Sequence, residues 1–264
     1  MQLFRLLADF FYNVYHYREY LKQSIARDLR KKYKRSTLGY LWSMLNPLFM
    51  MIILTIVFSN LMSGRVENYA VFLFAGLLPW NYFDGTCSMS LGVMRANARI
   101  IDQMPVPKYI FPLSVALYNL VNLFLSLIPL VLVMVFTNHP PSWSVFAFPL
   151  LVLPLLFVGM GFGLILSVSN VFFEDTQHLL GVLLKALYFL SPILYARDML
   201  PERLVNWLVL NPMFSIIEYS REIFYYGTFP PLQMYLASLA MCSVVLLFGL
   251  WVFNKADSKL IYFM

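Results

Sequence analysis

Six long apolar runs alternate with short polar connections along this chain of 264 residues. A helix needs about 20 apolar residues to cross the hydrocarbon core of a bilayer, and each run is about that long. Inside lipid a helix satisfies its own backbone hydrogen bonds, which an open strand does not. The chain is therefore predicted to be an all-α integral membrane protein with six transmembrane helices, near residues 40–62, 69–93, 110–136, 145–171, 177–196 and 232–253.

The composition agrees with this class. Apolar residues make up 61% of the chain and charged residues 12%, whereas ordinary soluble domains are about 25% charged. Most of the apolar surface must therefore face lipid or neighbouring helices. Cys87 and Cys242 lie inside apolar runs and have neither disulfide-framework nor metal-ligand spacing, so we predict packing roles for both and no metal site.

Three small residues in the fourth run, Gly159, Gly163 and Ser167, recur at four-residue spacing. Such a stripe lets another helix approach closely within a membrane. The approaching helix belongs either to the same chain or to a second copy. We favour packing within the same chain.

Residues 1–39 carry a basic, amphipathic segment before the first apolar run. Its apolar side chains recur at spacings of three or four, which places them on one helix face with cations between them. Such a helix is typical of one that lies in the headgroup plane of a membrane. The alternative is a DNA-binding basic helix, but the apolar remainder of the chain argues against a nucleic-acid partner. The cations predicted to face lipid headgroups are Arg27, Arg30, Lys31, Lys34 and Arg35.

Lysine and arginine are distributed unevenly between the two sides of the predicted bundle. If both termini are cytoplasmic, the cytoplasmic segments hold fourteen of these cations and the outer segments hold four. An excess of this kind marks the cytoplasmic side of a membrane protein. Residues 40–264 are therefore predicted to form a six-helix transmembrane domain with both termini inside.

Two ionisable side chains lie inside predicted spans, Asp84 in the second and Lys185 in the fifth. Charges at such positions are costly and point to a functional role. Both lie about 12 Å from the cytoplasmic face, at about 1.5 Å of helix rise per residue. They are predicted either to pair with each other or to line a wet vestibule that admits an anionic headgroup. Snorkelling of Lys185 to the interface is an equal alternative.

The outer segment 197–231 contains two short amphipathic stretches joined by Asn211-Pro212. Each stretch is too short to span a bilayer, and Asn-Pro favours a turn. We predict a helical hairpin that dips into the outer leaflet and forms an outer gate; an interfacial cap over the ends of the spans is the alternative. Within the hairpin, Glu218, Arg221 and Glu222 lie at helical spacing and are predicted to pair locally.

Several short motifs occur in order along nearly the whole chain. They are Arg27-Asp28, Leu38-Gly39-Tyr40-Leu41-Trp42, Asn46-Pro47-Leu48, Ala75-Gly76-Leu77-Leu78-Pro79-Trp80, Pro107-Lys108, Ser191-Pro192 and Asn211-Pro212. The ordered set resembles the membrane subunit of ABC exporters that move lipid-linked polysaccharides such as O-antigen, capsule and teichoic acid. The resemblance implies a permease of the bacterial cytoplasmic (inner) membrane whose substrate is a polyprenyl-diphosphate-linked polysaccharide.

The same resemblance implies a homodimer of six-helix subunits docked on two copies of a separate ATP-binding subunit. ATP and magnesium would bind to that partner, and this chain would carry no cofactor. The sequence fits this division because it contains no G-x-x-x-x-G-K-[ST] phosphate loop. The cytoplasmic connection 94–109, with a short helix predicted before Pro105 and Pro107, is expected to couple the subunits; an ordinary basic loop is the alternative. The predicted coupling residues are Arg95, Asn97, Arg99, Ile101, Asp102, Glu174 and Asp175.

Aromatic residues make up 17% of the chain, and their flat apolar faces suit the C–H faces of a sugar. Aromatic residues also concentrate at membrane interfaces, which is the simpler explanation for any one of them. The candidate substrate pathway consists of Trp42, Phe72, Tyr82, Phe83, Tyr188, Phe189 and Tyr195, together with the charged Asp84 and Lys185.

Two other functions fit parts of the sequence. A permease of the same superfamily that exports drugs or lipids would share the architecture but have a smaller pathway. A membrane-embedded glycolipid-processing enzyme would show clustered acid–base or metal groups in a cytoplasmic loop, whereas His16, His139 and His178 are scattered. We therefore expect a transport subunit with no catalytic residues of its own.

Overall fold

The computed structural model describes residues 10, 12–33, 36–62, 66–260 and 263, and the regular elements in these ranges are all helical. A 3₁₀ turn, Trp143–Ala147, leads into α6, and a second, Arg197–Met199, precedes α8. The helices are α1 Arg18–Tyr33, α2 Leu41–Met62, α3 Tyr69–Ala96, α4 Ala98–Gln103, α5 Ile110–Phe136, α6 Phe148–Phe172, α7 Thr176–Leu190, α8 Glu202–Leu208, α9 Pro212–Phe224 and α10 Leu232–Leu260. The predicted all-α class is confirmed for these residues.

Four helical segments of the described chain are long and apolar enough to cross a membrane. They are Leu41–Asn60, Ile110–Phe136, Trp143–Phe172 and Leu232–Leu260. They coincide with the predicted first, third, fourth and sixth spans. The second predicted span lies in α3, which is 28 residues long but carries Asp84 and Arg95. Six crossings therefore stay a prediction.

The fifth predicted span, 177–196, is wrong in its extent, because the helix ends at Leu190. At 15 residues, α7 is about 22 Å long, which is shorter than the hydrocarbon core of about 30 Å. The cause is Pro192, since the residue before a proline is disfavoured in helical geometry. Ser191 accordingly adopts an extended conformation with φ −93° and ψ 144°. Residues 191–194 are buried, so the chain turns into the protein after α7.

The core of the bundle is built around α3, which packs against α6, α5, α9 and α2. On its other side α6 packs against α10, and glycines allow the two backbones to approach closely. A β-carbon placed on Gly249 would lie 2.5 Å from the carbonyl oxygen of Gly161. The small-residue stripe of α6 also packs within the chain, because Gly159 faces the Tyr82 ring and Gly163 faces Ser90. The prediction of packing within the same chain is confirmed.

A second apolar cluster joins the N-terminal helix to one end of the bundle. Leu21 of α1 packs in this cluster with Ile101 of α4, Ile110 of α5 and Phe253 of α10. The α1 cations whose burial the structure describes stay at the surface, as an amphipathic helix requires; they are Arg18, Lys22, Arg27, Arg30 and Lys31. This cluster fixes α4 against both chain ends that the structure describes.

Candidate functional site

The predicted coupling segment forms a short helix directly after α3. Because α3 continues to Ala96, Arg95 lies on its last turn and not in a loop. Asn97 separates the two helices, and its side-chain amide donates to the carbonyl oxygen of Val93 at 2.8 Å. The short helix α4 ends at Gln103, and Met104 is extended ahead of Pro105, as a residue before proline prefers.

Arg95 connects this segment to the turn between α6 and α7. Its guanidinium Nη1 lies 2.6 Å from a carboxylate oxygen of Glu174. The structure thus brings together two predicted coupling residues that are 79 positions apart. We call Arg95, Arg99, Asp102, Glu174 and Asp175 the coupling surface, since all five are exposed on this side of the bundle.

Two other predicted coupling residues are buried and belong to the framework beneath the coupling surface. Ile101 is part of the second apolar cluster, and Asn97 holds the junction between α3 and α4. Their coupling roles stay predictions. In the structure both residues make contacts that stabilise the segment beneath the coupling surface. Neither side chain offers a surface to a partner protein.

A polar network that sequence spacing did not indicate holds the coupling segment against both ends of the chain. The Tyr17 hydroxyl donates to the carbonyl oxygen of Pro105 at 2.8 Å, and the Asn13 amide donates to the Tyr109 hydroxyl at 2.8 Å. Lys108 Nζ donates to the backbone carbonyl of Asp257 at 2.6 Å and pairs with its carboxylate at 3.1 Å. These partners lie 88 to 149 positions apart in the chain, so no local pattern reveals them.

The predicted outer hairpin contains α8 and α9 joined at Asn211. The Asn211 side chain accepts a hydrogen bond from the Met213 amide at 3.0 Å, and Pro212 occupies the first turn of α9. This is a regular N-cap with proline where its missing N–H costs nothing. The depth of the hairpin in a membrane stays a prediction.

Arg221 of α9 is fully buried. Its guanidinium donates to Glu218 and to the carbonyl oxygen of Ile193, both at 2.9 Å. It also stacks over the Phe72 ring, with 3.6 Å between the guanidinium carbon and the ring centroid. Burial raises the pKa of Glu218 above its ordinary value, and the Arg221 guanidinium opposes that rise. The predicted Glu218–Arg221 pair is confirmed, and it ties α9 to α3 and to the buried segment after α7.

The candidate pathway residues separate into a buried and an exposed group. Phe72, Tyr82 and Phe83 are buried in the core of the bundle. Phe189 is exposed on α7, and Trp42 is partly exposed in the first turn of α2. Tyr188 and Tyr195 are half-buried.

The two charges inside the predicted spans do not meet. Asp84 is half-buried on α3, whereas Lys185 is exposed on α7, and no ion pair joins these two described side chains. The pairing alternative is therefore wrong. The vestibule and the snorkelling of Lys185 stay predictions.

The predicted headgroup cations lie on α1. Arg27 pairs with Asp28 at 3.1 Å, and Arg30 and Lys31 are exposed. Lys34 and Arg35 lie outside the described residues. Arg27 and Lys31 also line a cavity with Trp42 and Tyr82. The structure thus brings predicted headgroup cations together with candidate pathway residues.

An apolar helical bundle with a charged surface over one end is the architecture of an integral membrane protein. The model of the ABC-2 type transporter family matches residues 19–225. That is more than half of the chain, so the chain belongs to this family. It is a permease subunit of an ABC transporter and not an enzyme, and such a subunit works with an ATP-binding partner.

Three relatives make the comparison more specific. The O-antigen export system permease protein RfbA of Klebsiella pneumoniae is 35% identical over 248 residues, which cover 92% of this chain and 94% of that protein. RfbA of Myxococcus xanthus is 34% identical over 239 residues, or 89% and 91% of the two chains. The polysialic acid transport protein KpsM of Escherichia coli is 29% identical over 241 residues, or 89% and 92%.

Proposed function

We propose that this chain is the membrane subunit of an ATP-driven exporter that moves a polyprenyl-diphosphate-linked polysaccharide across the bacterial cytoplasmic membrane. The observation that carries the proposal is the match, over about nine tenths of both chains, to permeases named for O-antigen export. The family model, which matches residues 19–225, includes every element from α2 to α9. The polymer is an O-antigen, a capsule or a teichoic acid.

In this proposal two copies of the chain form the pathway, and each contacts one ATP-binding subunit that holds ATP and magnesium. The exposed face of α2 is consistent with a second copy of the chain, since Ile53, Ile56 and Val57 are all more than half exposed. In a membrane these side chains face lipid or a second copy. Six crossings with both termini cytoplasmic would place the coupling surface on the side of the ATP-binding subunit.

The coupling surface is the proposed contact with that partner. Its five charged side chains come from two segments of the chain, and the Arg95–Glu174 ion pair holds the segments together. Movement of one segment therefore carries the other with it. The network through Tyr17, Lys108 and Asp257 would transmit that movement to α1 and α10.

The proposal is tested by expressing the chain with and without its ATP-binding partner and measuring ATPase activity in lipid nanodiscs. A polyprenyl-diphosphate glycan should stimulate the complex, and a plain phospholipid should not. Stimulation by the phospholipid alone would favour the alternative, a permease for drugs or lipids. Failure of the two chains to form a complex would contradict the proposal outright.

A further inference from the structure

A cavity of about 1080 Å³ lies between α1, α2, α3 and α5, inside a single copy of the chain. Its wall follows α3 from Leu78 to Ala96, which is about 27 Å at 1.5 Å of rise per residue. Sites for small ligands typically have volumes of about 300–1000 Å³. The cavity therefore has room for a phosphate group together with a sugar.

One end of the cavity is cationic. Arg27 and Lys31 line it beside Asp28, near the C-terminal end of α3. Asp28 compensates Arg27, whose Nε lies 3.1 Å from its carboxylate. Lys31 is exposed, and the described residues provide no acidic partner for it. This end keeps an uncompensated positive charge, which favours a phosphate ligand.

The deeper wall presents side-chain amides. Asn46 of α2 and Asn81 of α3 line the cavity and are exposed, and neither has a hydrogen-bond partner within the part of the chain that the structure describes. Asn81 lies fifteen residues before the end of α3 at Ala96, or about 22 Å along the helix. Polar side chains at such depth face a wet cavity or protein and not lipid. Both amides are available to hydroxyl groups of a ligand.

The α2 and α5 helices that line the cavity are joined by polar contacts. The Ser43 hydroxyl donates to the Asn122 side chain at 2.7 Å, and the Ser126 hydroxyl donates to the carbonyl oxygen of Ser43 at 3.3 Å. These bonds fix the distance between the two helices and with it the width of the cavity. At the cationic end of α2, the partly exposed Trp42 ring also lines the cavity, and its face suits the C–H face of a sugar.

We propose that this cavity binds the phosphate-linked sugar at the head of a membrane lipid. Lys31 and Arg27 hold the phosphate, Asn46 and Asn81 bind sugar hydroxyls, and Trp42 packs on the sugar ring. The inference rests on the proposed function for the identity of the lipid. It places one binding site within each copy of the chain.

The charge is tested with the full-length chain and its partner in phosphatidylcholine nanodiscs, using a polyprenyl-diphosphate N-acetylglucosamine probe. Lys31→Glu should weaken binding by about tenfold or more, as loss of a charge-assisted contact does. Lys22→Glu is the matched control, because Lys22 is an exposed cation of the same helix that neither lines the cavity nor belongs to the predicted headgroup cations. It should change binding by less than about twofold. Equal losses in both variants would show general attraction to the membrane surface and overturn the site.

The sugar contact is tested with the same lipid diphosphate lacking the sugar, and with inorganic diphosphate. Wild type should prefer the sugar-bearing lipid, Asn81→Leu should lose that preference, and Asn81→Gln should retain it. Retained preference in Asn81→Leu, or tighter binding of inorganic diphosphate than of either lipid, would overturn the assignment.

These results separate the cavity from the proposed function. If the Lys31→Glu and Asn81→Leu variants keep glycan-stimulated ATPase activity, the proposed binding site in the cavity is rejected and the proposed exporter function stands. If the glycan does not stimulate the wild-type complex, but these variants selectively lose probe binding, the binding site stands and the proposed exporter function is rejected.

Discussion

At the scale of single residues, Arg221 is a buried charge whose contacts explain its position. It bonds Glu218, the Ile193 carbonyl and the Phe72 ring. The spacing of Glu218 and Arg221 made their pairing predictable, because side chains three apart meet on a helix. The contacts with Phe72 and Ile193 were not predictable, since they depend on how α3 and the segment after α7 pack on α9.

Arg221→Ala should destabilise the protein by about 3–5 kcal/mol, because it leaves the buried Glu218 carboxylate without its partner. Arg203→Ala is the control, since Arg203 is exposed on the neighbouring α8 and its loss should change stability by less than about 0.5 kcal/mol. Chemical unfolding of the purified chain in detergent measures both. The double variant Glu218→Gln with Arg221→Met should lose less than the two single changes added together. Additive losses would contradict the buried pair.

Gly249→Ala should also destabilise, by about 1–3 kcal/mol, because overfilled packing forces backbones apart. Its new β-carbon would lie 2.5 Å from the Gly161 carbonyl oxygen, an atom that a side-chain rotation does not move. Gly181→Ala is matched in chemistry but meets no atom within 4 Å, so its greater helix propensity should make it neutral or slightly stabilising. The same unfolding measurement compares them, and equal stabilities would refute close α6–α10 packing.

At the scale of elements, proline accounts for the main difference between the predicted and observed helices. Apolar length alone predicts a span over 177–196, but the helix stops at Leu190 because Pro192 forces Ser191 into an extended conformation. Pro47, Pro79, Pro129 and Pro154 lie inside helices that continue past them. The sequence shows where helices can break, and packing decides which of these positions do.

The Arg95–Glu174 pair is an element-scale device, since it joins the end of α3 to the α6–α7 turn. Glu174 is largely exposed, so the pair should contribute at most about 1 kcal/mol to stability. Arg95→Glu should nonetheless uncouple ATPase activity from the glycan, and Arg95→Glu with Glu174→Arg should restore coupling. The comparison is glycan-stimulated against basal ATPase activity of the complex, with Arg203→Glu as an exposed control outside the coupling surface. No recovery in the double variant would contradict a linking role for the pair.

At the scale of the whole molecule, the number of crossings decides which side of the membrane each connection faces. Four spans follow from length and composition, whereas six require α3 and α7 to cross as well. α7 is short, but the chain continues beyond it as a buried segment, residues 191–194. The distribution of cations predicts orientation only once the number of crossings is known. The sequence alone therefore does not determine the number of crossings and the orientation independently of each other.

Single introduced cysteines determine both the number of crossings and the orientation. The native Cys87 and Cys242 are buried and should not react with a membrane-impermeant maleimide. Four exposed positions serve as probes: Gln103, Pro141, Asp198 and Lys259. With six crossings and cytoplasmic termini, intact spheroplasts should be labelled at Pro141→Cys and Asp198→Cys, but at Gln103→Cys and Lys259→Cys only after permeabilisation. Four crossings with the same termini would exchange Gln103 and Pro141 and leave the other two unchanged. Labelling of Lys259→Cys in intact cells would instead mean an odd number of crossings or an outer N-terminus. In either case the coupling surface or one chain end would lie on the side of the membrane away from the ATP-binding partner.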